Sequence, residues 1–361
     1  MPKQSLAAWE MICKPKLKGG LGIINFQKQN AALLLKFLDK FYNKKDLPWV
    51  SLVWSAHYGG RVPHEEKLCG SFWWRDIMKQ VDNYRGVAEI THGKGDTMLF
   101  WSDNWEVNGS SVPMCRRYPR LFSYALSPNT SVAQMFNEED ITALFYLPLS
   151  AQAYHELDQV QQLMQDNPLT QENDKWAYCW GDTYTAASFY SHIHSHIQVP
   201  NVYKWLWKSC CVMKHKVFAW LLLSDRLNTR DLLKRRHWRV TDDEHCVLCP
   251  GRIFEDRIHL FFECNFSVRI WSYLQIDWVA NDDMQLVLEN ARKSFCQPFF
   301  MEVIILACWN IWLLRNGEIF SAEKRSFAKW KGKFIHDISL LQYRIKMKHQ
   351  DRLLSWIRSL P

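Results

Sequence analysis

The sequence predicts a mainly α protein with a small β-hairpin. Three observations lead to this fold class. Most long segments place apolar residues at the i, i+3, i+4 spacing of an amphipathic helix, and one short stretch changes to the alternating pattern of strands. Hydrophobic residues make up 48% of the 361 residues, which is enough for a substantial core and unlike a disordered chain. Four Cys and His side chains are close together between residues 246 and 264, where they could anchor a small domain.

Those four residues, Cys246, Cys249, His259 and Cys264, have the spacing C-x2-C-x9-H-x4-C. Two thiols three positions apart can hold one metal ion from a tight turn, and a His and a Cys five positions apart can complete a tetrahedron from the start of a helix. Closed coordination by these ligands is typical of structural zinc. The alternatives are ordinary core cysteines or a redox pair, but a redox pair explains neither His259 nor Cys264. His245 is a competing ligand.

The net charge of +8 is unevenly distributed. Residues 204–239 carry a net charge of +8, and the tail 323–361 carries +7. A concentration of positive charge beside a metal site favours nucleic-acid binding, whereas the simpler interpretation is a solvated helix face. The cations predicted to contact RNA or DNA phosphates, with little base specificity, are Lys214, Lys216, Arg226, Arg230, Lys234, Arg235 and Arg236.

Helical periodicity recurs along the chain. Helices are predicted over 26–42, 71–84, 150–165, 202–225, 229–238, 266–275, 282–293, 298–320 and 326–357, with two short ones within 131–148. Residues 174–190 indicate a strand, a turn and a return segment leading into a helix.

The change of period falls at residues 86–101. GVAEITH (86–92), the turn GKGD (93–96) and TMLFW (97–101) predict a β-hairpin. GKG lacks the spacing of a phosphate-binding loop. Asp103 is expected to cap a turn rather than to bind a metal ion. His192, His194 and His196 alternate and could share one face of a strand, but no carboxylate stands beside them, so a second metal site is not favoured.

Six motifs along the chain carry a family resemblance. They are KHKVFAWLLLSDRLNTRDLLKRR (214–236), CVLC, EDRIHLFFECNFSVRIW (255–271), WEMICKPKLKGGLGIINFQKQNAALLLKFL (9–38), GKGDTMLFWSDNW (93–105) and WNIWLLRNGEIF (309–320). These motifs resemble the C-terminal, post-palm region of plant-type non-LTR (LINE-like) retrotransposon reverse transcriptases. The resemblance implies a helical zinc-binding domain plus flanking helical segments, one structural Zn²⁺, and a region that grips RNA or target DNA beside the enzyme's catalytic half. The shorter loop of the retroviral zinc knuckle is not matched, so the knuckle fold itself is not expected.

The sequence predicts that the chain is divided into five segments. They are a helical connector or thumb-like region (1–85), a hairpin and Pro-rich connector (86–130), an acidic helical region with short strands (131–200), the zinc-binding domain (201–275) and a C-terminal helical region with a basic tail (276–361).

The chain is not expected to be an enzyme. A polymerase needs paired carboxylates that hold two metal ions, and Asp242-Asp243 and Asp282-Asp283 lack the aromatic-x-D-D hairpin context. The apolar runs 217–223 and 303–309 are short for a membrane span, and no secretory signal is evident. We therefore expect an intracellular protein, nuclear or cytoplasmic, with no membrane partner. The rival hypotheses are a protein-interaction scaffold and a degenerate retroelement remnant.

Overall fold

The computed structural model describes residues 5–59, 62–63, 70–104, 112–238, 244–278 and 284–361. The acidic pairs Asp242-Asp243 and Asp282-Asp283 lie outside these residues. Over the described chain the protein is mainly α with one two-stranded antiparallel sheet, which confirms the predicted class. The helices are α1 (Trp9–Cys13), α2 (Phe26–Tyr42), α3 (Pro48–His57), α4 (Phe72–Met78), α5 (Val81–Arg85), α6 (Met114–Arg117), α7 (Pro119–Phe122), α8 (Val132–Asn137), α9 (Ala151–Asp166), α10 (Ala186–His192), α11 (Asn201–Lys208), α12 (Met213–Leu223), α13 (Arg230–Arg235), α14 (Asn265–Tyr273), α15 (Met284–Phe295), α16 (Phe300–Ser321), α17 (Phe327–Leu340) and α18 (Gln350–Ser359).

Short tight turns of helix stand between these elements. The 3₁₀ turns are Lys16–Lys18, Ile141–Leu144, Leu341–Tyr343 and Met347–His349, and a π turn spans His259–Glu263. Three helices predicted as continuous are broken, and one of the breaks is the turn at 79–80 between α4 and α5. The break at 209–212 lets the carboxylate of Glu302 accept the backbone N–H of Cys210 at 2.8 Å. The break at 341–349 turns α18 back onto α17, which buries Leu353.

The sheet corrects the predicted hairpin. Strand β1 (Ala88–Thr91) is where the alternating pattern placed it, but it pairs with β2 (Lys175–Tyr178), with Ala88 opposite Tyr178 and Thr91 opposite Lys175. Residues 97–101 form no strand. β1 therefore pairs with a segment that is distant in the sequence. The loop that follows β1 does not continue into a second strand, because a buried side chain accepts hydrogen bonds from its backbone N–H groups.

That side chain is Asp174, immediately before β2. Its Oδ1 accepts the N–H groups of Gly93 and Gly95, both at 2.7 Å, and its Oδ2 accepts the N–H and hydroxyl of Thr97 at 3.0 and 2.7 Å. A Cβ on Gly93 would lie 2.3 Å from the carbonyl oxygen of Glu172, and Gly95 has φ +70°. The G-x-G spacing thus lets the loop wrap closely around an internal carboxylate.

Asp103 is also buried, with 1% of its surface exposed. Its Oδ2 accepts the backbone N–H of Leu99 at 2.6 Å and a hydrogen bond from the Arg85 guanidinium. Asp103 therefore bonds to nearby backbone as expected of a turn cap, but the N–H group that it accepts lies four residues before it and not after it. The guanidinium of Arg85 lies over the rings of Tyr42 and Trp176, so the charge pair is enclosed by aromatic side chains.

The chain divides into two compact units, Ile24–His196 and a second made of Met1–Ile23 with Ile197–Pro361. The five-segment division stays a prediction. The unit Ile24–His196 has an aromatic-rich core built on α2, α4, α9 and the sheet, including Phe41, Tyr42, Trp74, Tyr84, Trp101 and Trp176. The other unit, called the zinc unit below because it contains the four predicted ligands, has a separate core that includes Trp220, Phe261, Trp271, Trp330 and Phe334.

The longest helix of the zinc unit is α16. Among the described helices it is the one whose length and apolar composition would allow it to cross a membrane. In this fold its apolar residues are largely buried, and it packs against α12 and α17. It is therefore the central core helix of the zinc unit.

Candidate metal centre and basic surface

The four predicted ligands converge. The ligand atoms of Cys246, Cys249, His259 and Cys264 all lie within 4.8 Å of one another, and the four residues are buried. The Cys246 and Cys264 sulfurs are 3.9 Å apart, and the Cys249 sulfur is 3.4 Å from His259 Nε2. A tetrahedral zinc ion with Zn–S near 2.3 Å and Zn–N near 2.1 Å would separate such atoms by about 3.8 and about 3.6 Å. The side chains therefore fit one structural zinc ion.

The two N-terminal ligands are positioned by a short antiparallel turn. His245 and Phe254 form a bridge, Cys246 N–H donates to the Ile253 carbonyl at 2.8 Å, and Leu248 N–H donates to the Cys246 sulfur at 3.4 Å. Backbone donors to sulfur favour the thiolate, the form that binds metal. The alternative ligand His245 is not part of the side-chain cluster.

The two C-terminal ligands are brought together by the π turn His259–Glu263. Five residues along an α-helix correspond to about 140° of rotation, which would point His259 and Cys264 away from each other. Here the N–H of Cys264 donates to the carbonyl of His259 at 2.7 Å, an i→i+5 bond that places both side chains at the same site.

Polar side chains support this π turn. Asp256 accepts the backbone N–H of His259 at 2.7 Å. From α14, Ser267 donates its hydroxyl to the Leu260 carbonyl at 2.6 Å, and Trp271 donates its indole N–H to the Phe261 carbonyl at 2.7 Å. These bonds hold the ligand-bearing backbone against α14. They are not predictable from ligand spacing.

The Cys246 thiol donates a hydrogen bond to Cys264. This bond lowers the pKa of Cys264 and, with burial, raises the pKa of Cys246. A hydrogen bond that favours the Cys264 thiolate suits a zinc site, because zinc is bound by deprotonated thiols.

A buried ion pair connects the metal-binding segment to α16. The carboxylate of Glu255, which is fully buried, accepts from Arg315 Nη2 at 2.6 Å and Nε at 3.1 Å. It also accepts the backbone N–H of Arg230 at 3.1 Å, at the start of α13. No sequence pattern predicted a role for Glu255. Its partner Arg315 belongs to the W-x-x-W-x-x-R-N motif, which is part of the family resemblance.

The seven predicted phosphate-binding cations occupy different environments. Arg230 is 8% exposed, and Lys216 is half-buried with its ammonium donating to the Trp207 carbonyl at 3.1 Å. Lys234 pairs with Glu244 at 2.8 Å, and Arg235 pairs with Asp225 and Asp231 at 2.8 and 2.7 Å. Packing thus buries Arg230, and neighbouring carboxylates compensate the charges of Lys234 and Arg235. Phosphate binding by these seven cations stays a prediction.

Lys214, Arg226 and Arg236 remain, and none of them forms an ion pair with a carboxylate of the described residues. Burial and the like charges of Arg226 and Arg235 lower the pKa of Arg236. This shift indicates that the guanidinium groups are close enough to repel one another. An anion in their vicinity would relieve that repulsion.

Comparison with known proteins points to the same segment. The family model described as zinc-binding in reverse transcriptase matches residues 184–271. The match contains all four clustered ligands. An Arabidopsis thaliana protein named as a ribonuclease H protein is 22% identical over 393 residues, an alignment that covers 98% of this chain. The chain spans 60% of the length of that relative. No solved structure matches the chain.

The matched segment and the clustered ligands together indicate a zinc-binding region related to those of reverse transcriptases. The three histidines at 192, 194 and 196 form no metal cluster among the described residues. His194 Nδ1 instead lies 2.8 Å from the Tyr190 carbonyl, and His192 Nδ1 lies 3.2 Å from the Cys179 sulfur.

Proposed function

We propose that the chain is the zinc-stabilised, nucleic-acid-binding region of a non-LTR (LINE-like) retrotransposon reverse transcriptase and performs no catalysis itself. The observation that carries the proposal is the convergence of three thiols and one imidazole within 4.8 Å, inside the segment that matches the zinc-binding family. Lys214, Arg226 and Arg236, which form no ion pair with a described carboxylate of the same unit, supply the positive charge that the proposal requires.

Zinc has a structural role in this proposal. The ion holds the 246–264 loop, whose folded form is otherwise costly in conformational entropy. The same loop carries Glu255, which fixes Arg315 in α16 and the first turn of α13. Metal binding thereby stabilises α13, which ends beside Arg236 and begins after the connection that carries Arg226.

Phosphates are the proposed ligands of Lys214, Arg226 and Arg236. Cations that displace counterions from a nucleic acid give an affinity that falls log-linearly with salt, by about 0.9 in slope for each phosphate neutralised on duplex. Either RNA or DNA would satisfy this chemistry. On the family resemblance, the protein partner would be the catalytic half of a reverse transcriptase, which would supply the polymerase carboxylates.

The test is equilibrium binding of a labelled RNA hairpin to the purified chain, titrated in salt. Replacing Lys214 and Arg226 with Gln should weaken binding and reduce the salt slope by about 2, because two phosphate contacts are lost. Arg235 is a poorer test site, since its substitution would also release Asp225 and Asp231.

The matched control removes two charges elsewhere. Lys28 and Lys36 are exposed on α2, in the unit Ile24–His196, and their replacement with Gln should leave the slope unchanged. An equal slope in all three proteins would contradict the proposed surface. Binding that survives complete zinc removal would contradict the proposed role of the metal.

A further inference from the structure

Two adjoining cavities open on the surface of the zinc unit. One has a volume of about 270 Å³ and the other about 350 Å³. Asn228 and Trp312 line both, so the cavities form one groove. We call it the tryptophan groove, and the residues that define it here are Lys214, Arg226, Asn228, Trp238, Trp309 and Trp312.

The groove has a rigid aromatic wall. Trp309 and Trp312 are partly buried neighbours on α16, and each keeps some exposed surface. Trp309 packs edge-on against Phe218 with ring centroids 5.2 Å apart, and Trp312 stacks on Phe261 at 6.4 Å. Phe261 belongs to the π turn of the metal centre. The indoles are thus held in place by the core, so little side-chain entropy is lost when a planar ligand stacks on them.

The groove is also cationic. The Lys214 ammonium lies 5.5 Å from the centre of the Trp309 ring, and Arg226 lines the same cavity. No Asp or Glu is among the described residues that line either cavity. Aromatic surface and positive charge therefore meet in one place.

We infer that the tryptophan groove binds an unpaired base of a single-stranded nucleic acid. The inference rests on the proposed function and makes it more specific. A base has a π-face that can stack on Trp309 or Trp312, and its flanking phosphates can reach Lys214 and Arg226. A duplex keeps its bases stacked inside and cannot use the indoles. The groove therefore selects single strands, RNA or DNA, with little sequence preference.

The experiment compares oligonucleotides of equal length by fluorescence anisotropy with the full chain. A single-stranded RNA, the DNA of the same sequence and its abasic counterpart carry equal charge, and the fourth probe is the duplex, which carries twice as many phosphates. Because stacking on an aromatic side chain is worth about 1–3 kcal/mol per base, the wild type should bind the single strand about 5- to 150-fold more tightly than the abasic strand. Equal affinity for RNA and DNA strands is expected, since the groove recognises a base and not the sugar.

Variants assign the effect to the groove. Trp312→Leu should abolish the preference over the abasic strand while leaving the salt slope unchanged, and Trp312→Phe should restore part of it. Trp205→Leu is the matched control, because Trp205 is also half-buried in the zinc unit under a cation, Arg292 at 4.0 Å, but lines neither cavity. Thermal unfolding and zinc content establish that each variant is folded.

If Trp312→Leu fails to fold, Trp309→Leu provides the second test and should also reduce the preference. Wild-type protein that binds single-stranded and abasic probes equally, with a normal salt slope, would overturn the stacking inference but leave the proposed phosphate-binding function standing. Loss of the preference in Trp205→Leu to the same degree as in Trp312→Leu would also overturn it. No binding of any probe would overturn both.

Discussion

Arg315 and Glu255 form a two-point ion pair at 2.6 and 3.1 Å in the interior of the zinc unit, 60 residues apart in the chain. Arg315 comes from the central helix and Glu255 from the loop that carries the metal ligands. The motif 309–320 lies outside the predicted zinc-binding domain 201–275, and this ion pair ties the motif to that domain. A planar guanidinium suits this position because it can satisfy both carboxylate oxygens at once.

Glu255→Gln should strongly destabilise the zinc unit. The substitution leaves the Arg315 charge buried without a counterion, and breaking a buried pair in this way typically costs about 3–5 kcal/mol. Urea unfolding would measure the loss, and a smaller zinc affinity should accompany it. Glu263→Gln is the control, because Glu263 is exposed beside the ligand Cys264. Replacing both partners with apolar residues, as in Glu255→Leu with Arg315→Met, should recover much of the stability; failure to recover would contradict the assigned role of the pair.

Removal of the metal should unfold one unit locally and spare the other. Cys249→Ser, or treatment with a chelator, is expected to lower hydrogen-exchange protection across 244–278 while α2 in the other unit keeps its protection. Elemental analysis should give one zinc per wild-type chain. Cys296→Ser, at an exposed cysteine outside the cluster, should keep both the metal and the protection. Identical exchange with and without metal would show that zinc is not what holds this loop.

Asp174→Ala should disrupt the loop 93–97, which follows β1. Three backbone N–H groups and one hydroxyl would lose their acceptor in a buried site. Each unsatisfied buried group costs about 1–3 kcal/mol, so a total loss of at least about 3 kcal/mol is expected for the unit Ile24–His196. Chemical unfolding provides the measurement, and Asp182→Ala, at an exposed position, is the control. A loss no larger than that of the control would mean that water replaces the carboxylate.

Stability of the zinc unit should depend on His215 as the pH falls. Burial and, secondarily, the Lys214 charge lower the pKa of His215 below 6.5, while Asp337 opposes them. The unfolded chain then takes up a proton at a higher pH than the folded chain does, so stability present above the unfolded pKa of 6.5 is lost as the pH falls through the folded pKa.

The variant His215→Phe isolates this contribution. It keeps an aromatic ring against Trp309, whose centroid is 5.1 Å from that of His215, but cannot titrate. Urea midpoints measured at about pH 7.5 and about pH 5.5 should fall more for the wild type than for the variant. Other titrating groups, the zinc ligands included, are common to both proteins. Parallel declines would contradict the assignment to His215.

The four residues that cluster as a candidate metal site, Cys246, Cys249, His259 and Cys264, were predictable from the sequence because thiol and imidazole spacing is a local property. The helical class was likewise predictable, since the 3.6-residue period of apolar side chains is local too. The resemblance of 255–271 to a zinc-binding domain also pointed to the correct segment, within the region 184–271 that the family model matches.

The strand partner, the breaks at 209–212 and 341–349 and the environment of each cation depended on contacts between distant residues. Residues 86–101 had the pattern of a hairpin, yet Asp174 satisfies their backbone donors and β2 takes the place of the second strand. Arg230 was predicted to be a surface cation, but packing buries its side chain. Periodicity and ligand spacing determined the class and the metal set of this protein. Only tertiary packing decided which charges remain at the surface, because burial and ion pairing depend on neighbours that are remote in the chain.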